Sequence, residues 1–291
     1  IQYGATITKP NNGKKFNAVI IVSGSGKQDR DGNMGGIKMF STIADHLSKN
    51  GYLVVRMDDR GVGETTGDYS KSTTKDFAMD VLEIVKYLKN LECVNSHGIG
   101  LLGHSEGGAV MSIAASISGD IKFIISLSGL AMNGLDALIT QNEAIVNNSP
   151  LKPYDKIRAN EINGLMFKTA YQYADSTNME EALNSTYKNW RMRDSVYFAT
   201  LGQEYDHFRF PIWRYVNEAT APWYRFFVRY NSQLYLSQLN IPILAINGES
   251  DNFVVPSNLE LWKQYSQSTY FKNYPIILKV KNQNQQFQKK H

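Results

Sequence analysis

The chain has 291 residues, of which 42% are hydrophobic and 20% charged, and its formal net charge is +4 at pH 7. This composition is typical of a globular protein with a substantial core, and the length corresponds to one large domain or to one domain with an insertion. The mild charge does not favour nucleic acid as a partner, and no apolar run approaches the roughly 18 residues of a membrane helix. The only cysteine, Cys93, is expected to be a buried thiol.

Apolar runs alternate with amphipathic stretches at both ends of the chain. The predicted strands are 18–24, 52–57, 98–103, 123–128, 241–247 and 275–280, and the predicted helices are 38–50, 73–91, 105–118 and 257–268. The run AVIIVSG at 18–24 is apolar and β-branched throughout, as in a strand buried on both faces. Strands that alternate with helices predict an α/β fold with a mostly parallel sheet and helices on both faces.

Residues 131–230 interrupt this alternation. They read as helical and contain 18 of the chain's 34 aromatic residues. These aromatic side chains could pack a core of their own, or they could belong to a lid that lines an apolar pocket. We expect a sheet-containing core formed by 1–130 and 231–291, and a helical cap inserted at 131–230.

The segment LLGHSEGGAV, residues 101–110, predicts a nucleophile elbow. Ser105 would lie in a strained conformation at a tight turn between a strand and a helix. Residues 103 and 107 must be small there, and both are glycine. The turn would also place the Glu106 N–H at a helix N-terminus, where it can donate to a developing oxyanion.

The remaining site residues are predicted from the ends of other strands. The loop Ser23-Gly24-Ser25-Gly26 follows the first apolar strand, and we assign a second oxyanion donor to the Ser25 N–H. A phosphate-binding loop is the alternative, but no Lys-Ser/Thr pair follows the glycines. Asp251 follows the strand at 241–247 and is the predicted acid, with Glu249 as the fallback and a turn aspartate as the alternative. No cluster has metal-ligand spacing, so neither a metal nor a cofactor is predicted.

Four segments, GSGKQDRDG, MDDRGVGETTGD, IGLLGHSEGG and INGESDNFV, together resemble the α/β-hydrolase superfamily. The similarity is greatest to bacterial carboxylesterases that carry a helical cap. It implies the α/β-hydrolase fold, serine-dependent hydrolysis of a small-molecule ester through an acyl-enzyme, and no cofactor. It also implies that residues 3–10 form a strand that follows a further N-terminal segment of the relatives. Asp58, Asp59 and Arg60 are interpreted as ion pairs that brace a loop.

The catalytic histidine is missing from its expected position. Relatives carry it in a stretch like Leu-Asn-His-Leu-Phe-Gln after the last strand, and here residues 283–288 read QNQQFQ, with Gln285 in the histidine position. A glutamine amide cannot act as a general base near neutral pH. Of the five histidines, we interpret His46, His97 and His104 as structural, place His207 in the cap, and note that only His291 follows the predicted acid.

Three interpretations of Gln285 stay open. The triad is disabled in this chain, or the sequence beyond residue 282 is misassigned and hides a histidine, or the protein is a non-catalytic relative that binds an acyl or peptide-like ligand. A peptidase or a thioesterase on the same scaffold is a further alternative. The sequence predicts a soluble protein but decides neither its oligomeric state nor whether it is cytoplasmic, periplasmic or secreted.

Overall fold

The computed structural model describes residues 1–267 and the backbone of residues 277–280. The strands are β1 (Ala5–Thr8), β2 (Phe16–Val22), β3 (Asn33–Met34), β4 (Ile37–Lys38), β5 (Tyr52–Met57), β6 (Val94–His104), β7 (Phe123–Leu127), β8 (Ile243–Gly248) and β9 (Ile277–Val280). The helices are α1 (Met39–Lys49), α2 (Thr74–Lys89), α3 (Gly107–Ile117), α4 (Gly134–Asn147), α5 (Pro153–Tyr173), α6 (Met179–Ala199), α7 (Ile212–Ala219), α8 (Pro222–Arg229), α9 (Ser232–Leu236) and α10 (Asn258–Tyr265), with a short 3₁₀ turn at Tyr69–Lys71.

Seven of these strands form one sheet in the order β1-β5-β2-β6-β7-β8-β9. Only β1 pairs antiparallel, with β5, and every other neighbouring pair in this sheet is parallel. The carboxyl ends of the parallel strands therefore meet at one edge, where open α/β sheets bind their ligands. The predicted α/β class and its mostly parallel sheet are confirmed.

The central strand β2 is buried along almost its whole length, as its apolar sequence predicts. On one face of the sheet, Phe40 and Ala44 of α1 pack against Val19, Ile21 and further apolar side chains of β5 and β6. The helices α2 and α3 contact each other, and both contact β6. Burial of this apolar surface is the main stabilising contribution to such a core.

Helix α2 shows how local sequence sets the element boundaries. Thr73 accepts a hydrogen bond from the Asp76 N–H, and the Asp76 carboxylate accepts from the Thr73 N–H, which makes a complete capping box. Strand β6 begins at Val94, four residues before the predicted start at 98, because Val94 pairs with Phe16 across a bulge. The polar sequence VNSH hides that pairing from a search for apolar runs.

The chain divides into two compact units, which are Ile1–Met132 with Asn231–His291, and Asn133–Tyr230. We call the second one the helical unit. It has its own core, in which Ile162, Met166, Leu183 and Trp190 are fully or almost fully buried. Beside that core the Arg158 guanidinium, 1% exposed, pairs with three aspartates. A cap role for the helical unit stays a prediction. Among the described residues, no helix is long and apolar enough to cross a membrane.

Candidate active site

Ser105 lies at the turn between β6, which ends at His104, and α3, which begins at Gly107. Its φ is +55°, a left-handed conformation that costs a non-glycine residue on the order of 1–3 kcal/mol. The Ser105 carbonyl oxygen accepts hydrogen bonds from the Gly108 N–H at 2.9 Å and the Leu130 N–H at 2.8 Å, which hold the strained turn. The prediction of a strained serine at this turn is confirmed.

Three glycines make the turn possible. A Cβ on Gly103 would lie 2.5 Å from the Gly107 carbonyl oxygen, and one on Gly107 would lie 2.6 Å from the Val22 carbonyl oxygen. A Cβ on Gly108 would lie 2.2 Å from the Leu130 nitrogen. Backbone atoms cannot yield as a flexible side chain can, so a larger residue at any of the three positions would displace the turn.

The loop of residues 23–28, which follows β2, lies directly against the serine. A Cβ on Gly24 would stand 2.9 Å from the Ser105 Cβ and 3.1 Å from the His104 carbonyl oxygen. The next residue, Ser25, donates its hydroxyl to the Glu106 carboxylate at 2.7 Å. The structure therefore brings Ser25, Ser105 and Glu106 together, as the sequence predicts. In the described part of the chain, the Ser25 N–H donates to no acceptor.

Besides Glu106, side chains from two other segments hold the 23–28 loop. The Asp59 carboxylate accepts from the Ser23 hydroxyl at 2.6 Å and from the Gln28 N–H at 2.8 Å. The Tyr69 hydroxyl accepts from the Gly26 N–H at 2.8 Å. Sequence reasoning missed these contacts. Their only signal is the polar character of residues that follow the predicted strands.

The interpretation of Asp58, Asp59 and Arg60 as three ion-pairing residues is right for two of them. Arg30 pairs with Asp58, and Arg60 pairs with Asp80. Asp59 makes no ion pair with any described residue, and its partners are the two donors of the 23–28 loop. Burial raises the pKa of Asp59 to about 6, and repulsion from the Glu106 carboxylate adds to the increase.

Asp251 follows β8 at the same edge of the sheet and is 3% exposed. Its Oδ1 accepts from the Phe253 N–H at 2.9 Å and the Val254 N–H at 3.0 Å. Its Oδ2 is buried and has no hydrogen-bond partner among the described residues. This geometry fixes the carboxylate and leaves one oxygen able to accept from a base. Glu249, the fallback, is exposed.

In the sheet-containing unit, no described histidine makes a hydrogen bond to Ser105 or Asp251. His104 adjoins the serine, but its ring packs edge-on against Phe40, and burial lowers its pKa to about 4 against the opposing attraction of Asp251. His46 and His97 are exposed, and the His207 ring lies beside that of Tyr205 in the helical unit. Gln285 and His291 lie outside the described residues.

Among residues 1–267 and 277–280, no group of three or more His, Cys, Asp or Glu side chains could hold a metal ion. The site instead consists of a strained serine, a glycine-rich loop against it and a fixed aspartate. The sequence profile of the α/β hydrolase fold matches residues 17–276. The chain belongs to this family.

Relatives and solved structures agree with that membership. The chain is 26% identical to esterase EstD of Thermotoga maritima over 256 residues, which cover 88% of the chain and 52% of the relative. The chain thus spans about half the length of that protein. Est1E of Butyrivibrio proteoclasticus, solved with ferulic acid bound, superposes with a TM-score of 0.54 at 18% identity, covering 97% of this chain and 86% of that one.

A second solved structure, the α/β hydrolase GrgF from Penicillium sp. sh18, also gives a TM-score of 0.54, at 16% identity. The superposition covers 98% of this chain and 91% of the GrgF chain. At these identities the two structures establish the shared fold. They carry no information about what this α/β hydrolase acts on.

Proposed function

We propose that this α/β hydrolase cleaves small carboxylic esters with Ser105 as the nucleophile. The observation that carries the proposal is the left-handed Ser105 at the strand–helix turn, against which the 23–28 loop is packed. Such strain persists where the surrounding structure imposes it, and it is concentrated at functional sites. The 26% identity to an esterase over 88% of the chain supports the same reaction class.

The reaction would proceed through an acyl-enzyme. The Ser105 hydroxyl attacks the ester carbonyl, and the N–H groups of Ser25 and Glu106 donate to the oxyanion that forms. The alcohol leaves with a proton, and water then releases the acyl group by the same route in reverse. Asp251 would orient the base through its Oδ2, because its Oδ1 is occupied by two backbone N–H donors.

The proton transfer from Ser105 to a general base is the step that this sequence would impair. Gln285 stands at the histidine position of the family motif, and its amide can donate to an Asp251 oxygen but cannot take the Ser105 proton. A serine hydrolase without its base loses several orders of magnitude in rate and keeps a low activity that the oxyanion site supports. We therefore expect slow hydrolysis by the chain as it stands.

Hydrolysis of p-nitrophenyl acetate tests the proposal. The assay compares the chain with three variants, Gln285→His, Ser105→Ala and a matched control, Ser116→Ala, which alters a serine further along α3. We expect Gln285→His to be faster by at least about a hundredfold, Ser105→Ala to be inactive in either background, and Ser116→Ala to match its parent. Activity that survives Ser105→Ala would refute the nucleophile assignment.

A fast, Ser105-dependent parent would instead show that another histidine serves as the base, with His291 and His207 as the candidates. The assignment of Gln285 to the base position would then be wrong. Peptidase and thioesterase activity are separated from esterase activity by the same four proteins on amide and thioester substrates of matched acyl group.

Gln285 also favours a second candidate function, which is binding of an acyl or peptide-like ligand without turnover. A fluorophosphonate probe distinguishes the two, because it labels an activated serine. Labelling of Ser105 in the chain or in Gln285→His supports the hydrolase. Failure to label in both, with the fold intact, supports the binding protein.

A further inference from the structure

Glu106 takes part in the site through both its backbone and its side chain. Its backbone forms the turn beside Ser105, and its side chain reaches the 23–28 loop, where Oε2 accepts from the Ser25 hydroxyl at 2.7 Å. The residue is 4% exposed. A buried carboxylate of this kind costs free energy unless its oxygens accept hydrogen bonds.

The second carboxylate oxygen is also held. Thr74, the first residue of α2 and fully buried, donates its hydroxyl to Glu106 Oε1 at 2.7 Å. Thr74 adjoins the Thr73 capping box, so it lies on a helix end whose geometry is fixed independently. The Glu106 carboxylate therefore connects the start of α2, the turn at Ser105 and the 23–28 loop.

Asp59 holds the same loop from the other side. It accepts from Ser23 and Gln28, one at each end of the loop, and the Asp59 N–H in turn donates to the Gln28 carbonyl oxygen at 3.1 Å. The middle of the loop is held by the Tyr69 contact to Gly26 and by Glu106. The Gln28 side-chain amide also donates to the Ser25 carbonyl oxygen, at 3.4 Å. Ser25 itself is exposed, and burial does not fix its position.

We propose that the Glu106 side chain is a positioning residue that sets the distance between the two oxyanion donors, Ser25 N–H and Glu106 N–H. This inference rests on the proposed function. The carboxylate fixes Ser25 relative to the turn, and Asp59 fixes the two ends of the loop. The expected consequence is on kcat, because preorganised donors act on the charge that develops in the transition state.

Hydrogen-bond chemistry predicts that the amide variants of both carboxylates can keep the contacts that hold the loop. Ser25 and Thr74 contact Glu106 through hydroxyls, and a hydroxyl can donate or accept, so the amide of Glu106→Gln can keep both of these contacts. One partner of Asp59 is the Gln28 backbone N–H, which can only donate. The amide of Asp59→Asn can still keep both contacts, because its oxygen can accept from the Gln28 N–H while its nitrogen donates to the Ser23 hydroxyl.

The test measures kcat and KM for p-nitrophenyl acetate in whichever background, the chain or Gln285→His, hydrolyses it through Ser105. We expect Glu106→Ala to lower kcat about tenfold to a hundredfold with KM within about twofold, and Glu106→Gln to stay within about threefold of the parent. Ser25→Ala keeps its N–H but loses the hydroxyl, so its kcat should match that of Glu106→Ala. The variant that carries both substitutions should be no slower than either single variant. Glu83→Ala, on the exposed side of α2, is the control.

A second readout does not depend on activity. Hydrogen exchange at the Gly26 and Gln28 amides reports the opening of the loop, because both donate to anchors other than Glu106. We expect Glu106→Ala and Ser25→Ala to speed both amides at least about fivefold, and Glu106→Gln to leave them near the parent rate. Unchanged exchange and unchanged kcat in Glu106→Ala would overturn the inference. If no background hydrolyses the ester, the proposed function fails while exchange still decides whether the carboxylate holds the loop.

Discussion

Two titratable groups near Ser105, the partly buried Asp59 and the buried His104, have pKa values shifted in opposite directions. Burial raises the pKa of Asp59 from 3.8 to about 6, and burial lowers the pKa of His104 from 6.5 to about 4. Between pH 4 and 6, the folded protein therefore carries a protonated Asp59 and a neutral His104. The unfolded chain carries the reverse, an ionised Asp59 and a charged His104. The pair binds one proton in each state, so it gives the folding free energy almost no pH dependence in this range.

Single substitutions should separate the two opposing pH dependences of the unfolding free energy. One pKa unit corresponds to about 1.36 kcal/mol, so each shift is linked to about 3 kcal/mol. The Asp59 contribution to stability is present below pH 3.8 and is lost as the pH rises through 6, because its folded pKa is raised. The His104 contribution is present above pH 6.5 and is lost as the pH falls through 4, because its folded pKa is lowered.

Urea unfolding followed by circular dichroism at pH values from 4 to 7 measures both effects. Relative to the parent, Asp59→Asn should lose about 3 kcal/mol of unfolding free energy between pH 7 and pH 4, and His104→Gln should gain about 3 kcal/mol over the same range. The exposed variant Asp45→Asn is the control, with a profile parallel to that of the parent. Parallel profiles for all four proteins would refute the reasoning, since neither group would then titrate differently on folding.

Three further predictions follow from steric and packing geometry. Gly24→Ala should lower kcat/KM about a hundredfold in the background that hydrolyses the ester, because the added Cβ would stand 2.9 Å from the Ser105 Cβ. Gly119→Ala, with open space around it, should leave kcat/KM unchanged. Arg158→Met should destabilise the helical unit by about 3 kcal/mol in urea unfolding, because the buried Asp194 loses its buried partner and keeps the ion pair with the more exposed Arg191. Arg193→Met at an exposed ion pair should cost less than about 1 kcal/mol. Thr73→Ala should lower the free energy of unfolding by about 1 kcal/mol through loss of the α2 cap, and an unchanged midpoint would contradict that role.

Much of the site follows from local sequence because local sterics impose it. A left-handed serine between a strand and a helix requires glycine at 103 and 107, and the motif states that requirement directly. Asp251 is also recognisable locally, because it follows an apolar strand by three residues and the adjacent backbone N–H groups fix its Oδ1.

The hydrogen-bond partners of the Glu106 and Asp59 carboxylates do not follow from local sequence. The motif places Glu106 beside Ser105 but does not reveal its side-chain partners, which come from residues 25 and 74. Asp59 read as an ion-pairing residue because it stands between Asp58 and Arg60, yet its partners are a hydroxyl and a backbone N–H. Hydrogen bonds across 30 or more residues leave no periodic signal in a sequence.

The sequence by itself therefore determined the α/β alternation and the elbow with its glycines, because each depends on neighbours along the chain. Only the tertiary structure decided which polar groups meet at the carboxyl edge of the sheet. There the packing of β2, β5 and β6 side by side brings the loops that follow them together, and the exclusion of water makes every unpaired polar atom costly. That cost is the physical reason why the buried Glu106 carboxylate accepts a hydroxyl at each oxygen, from Ser25 and from Thr74.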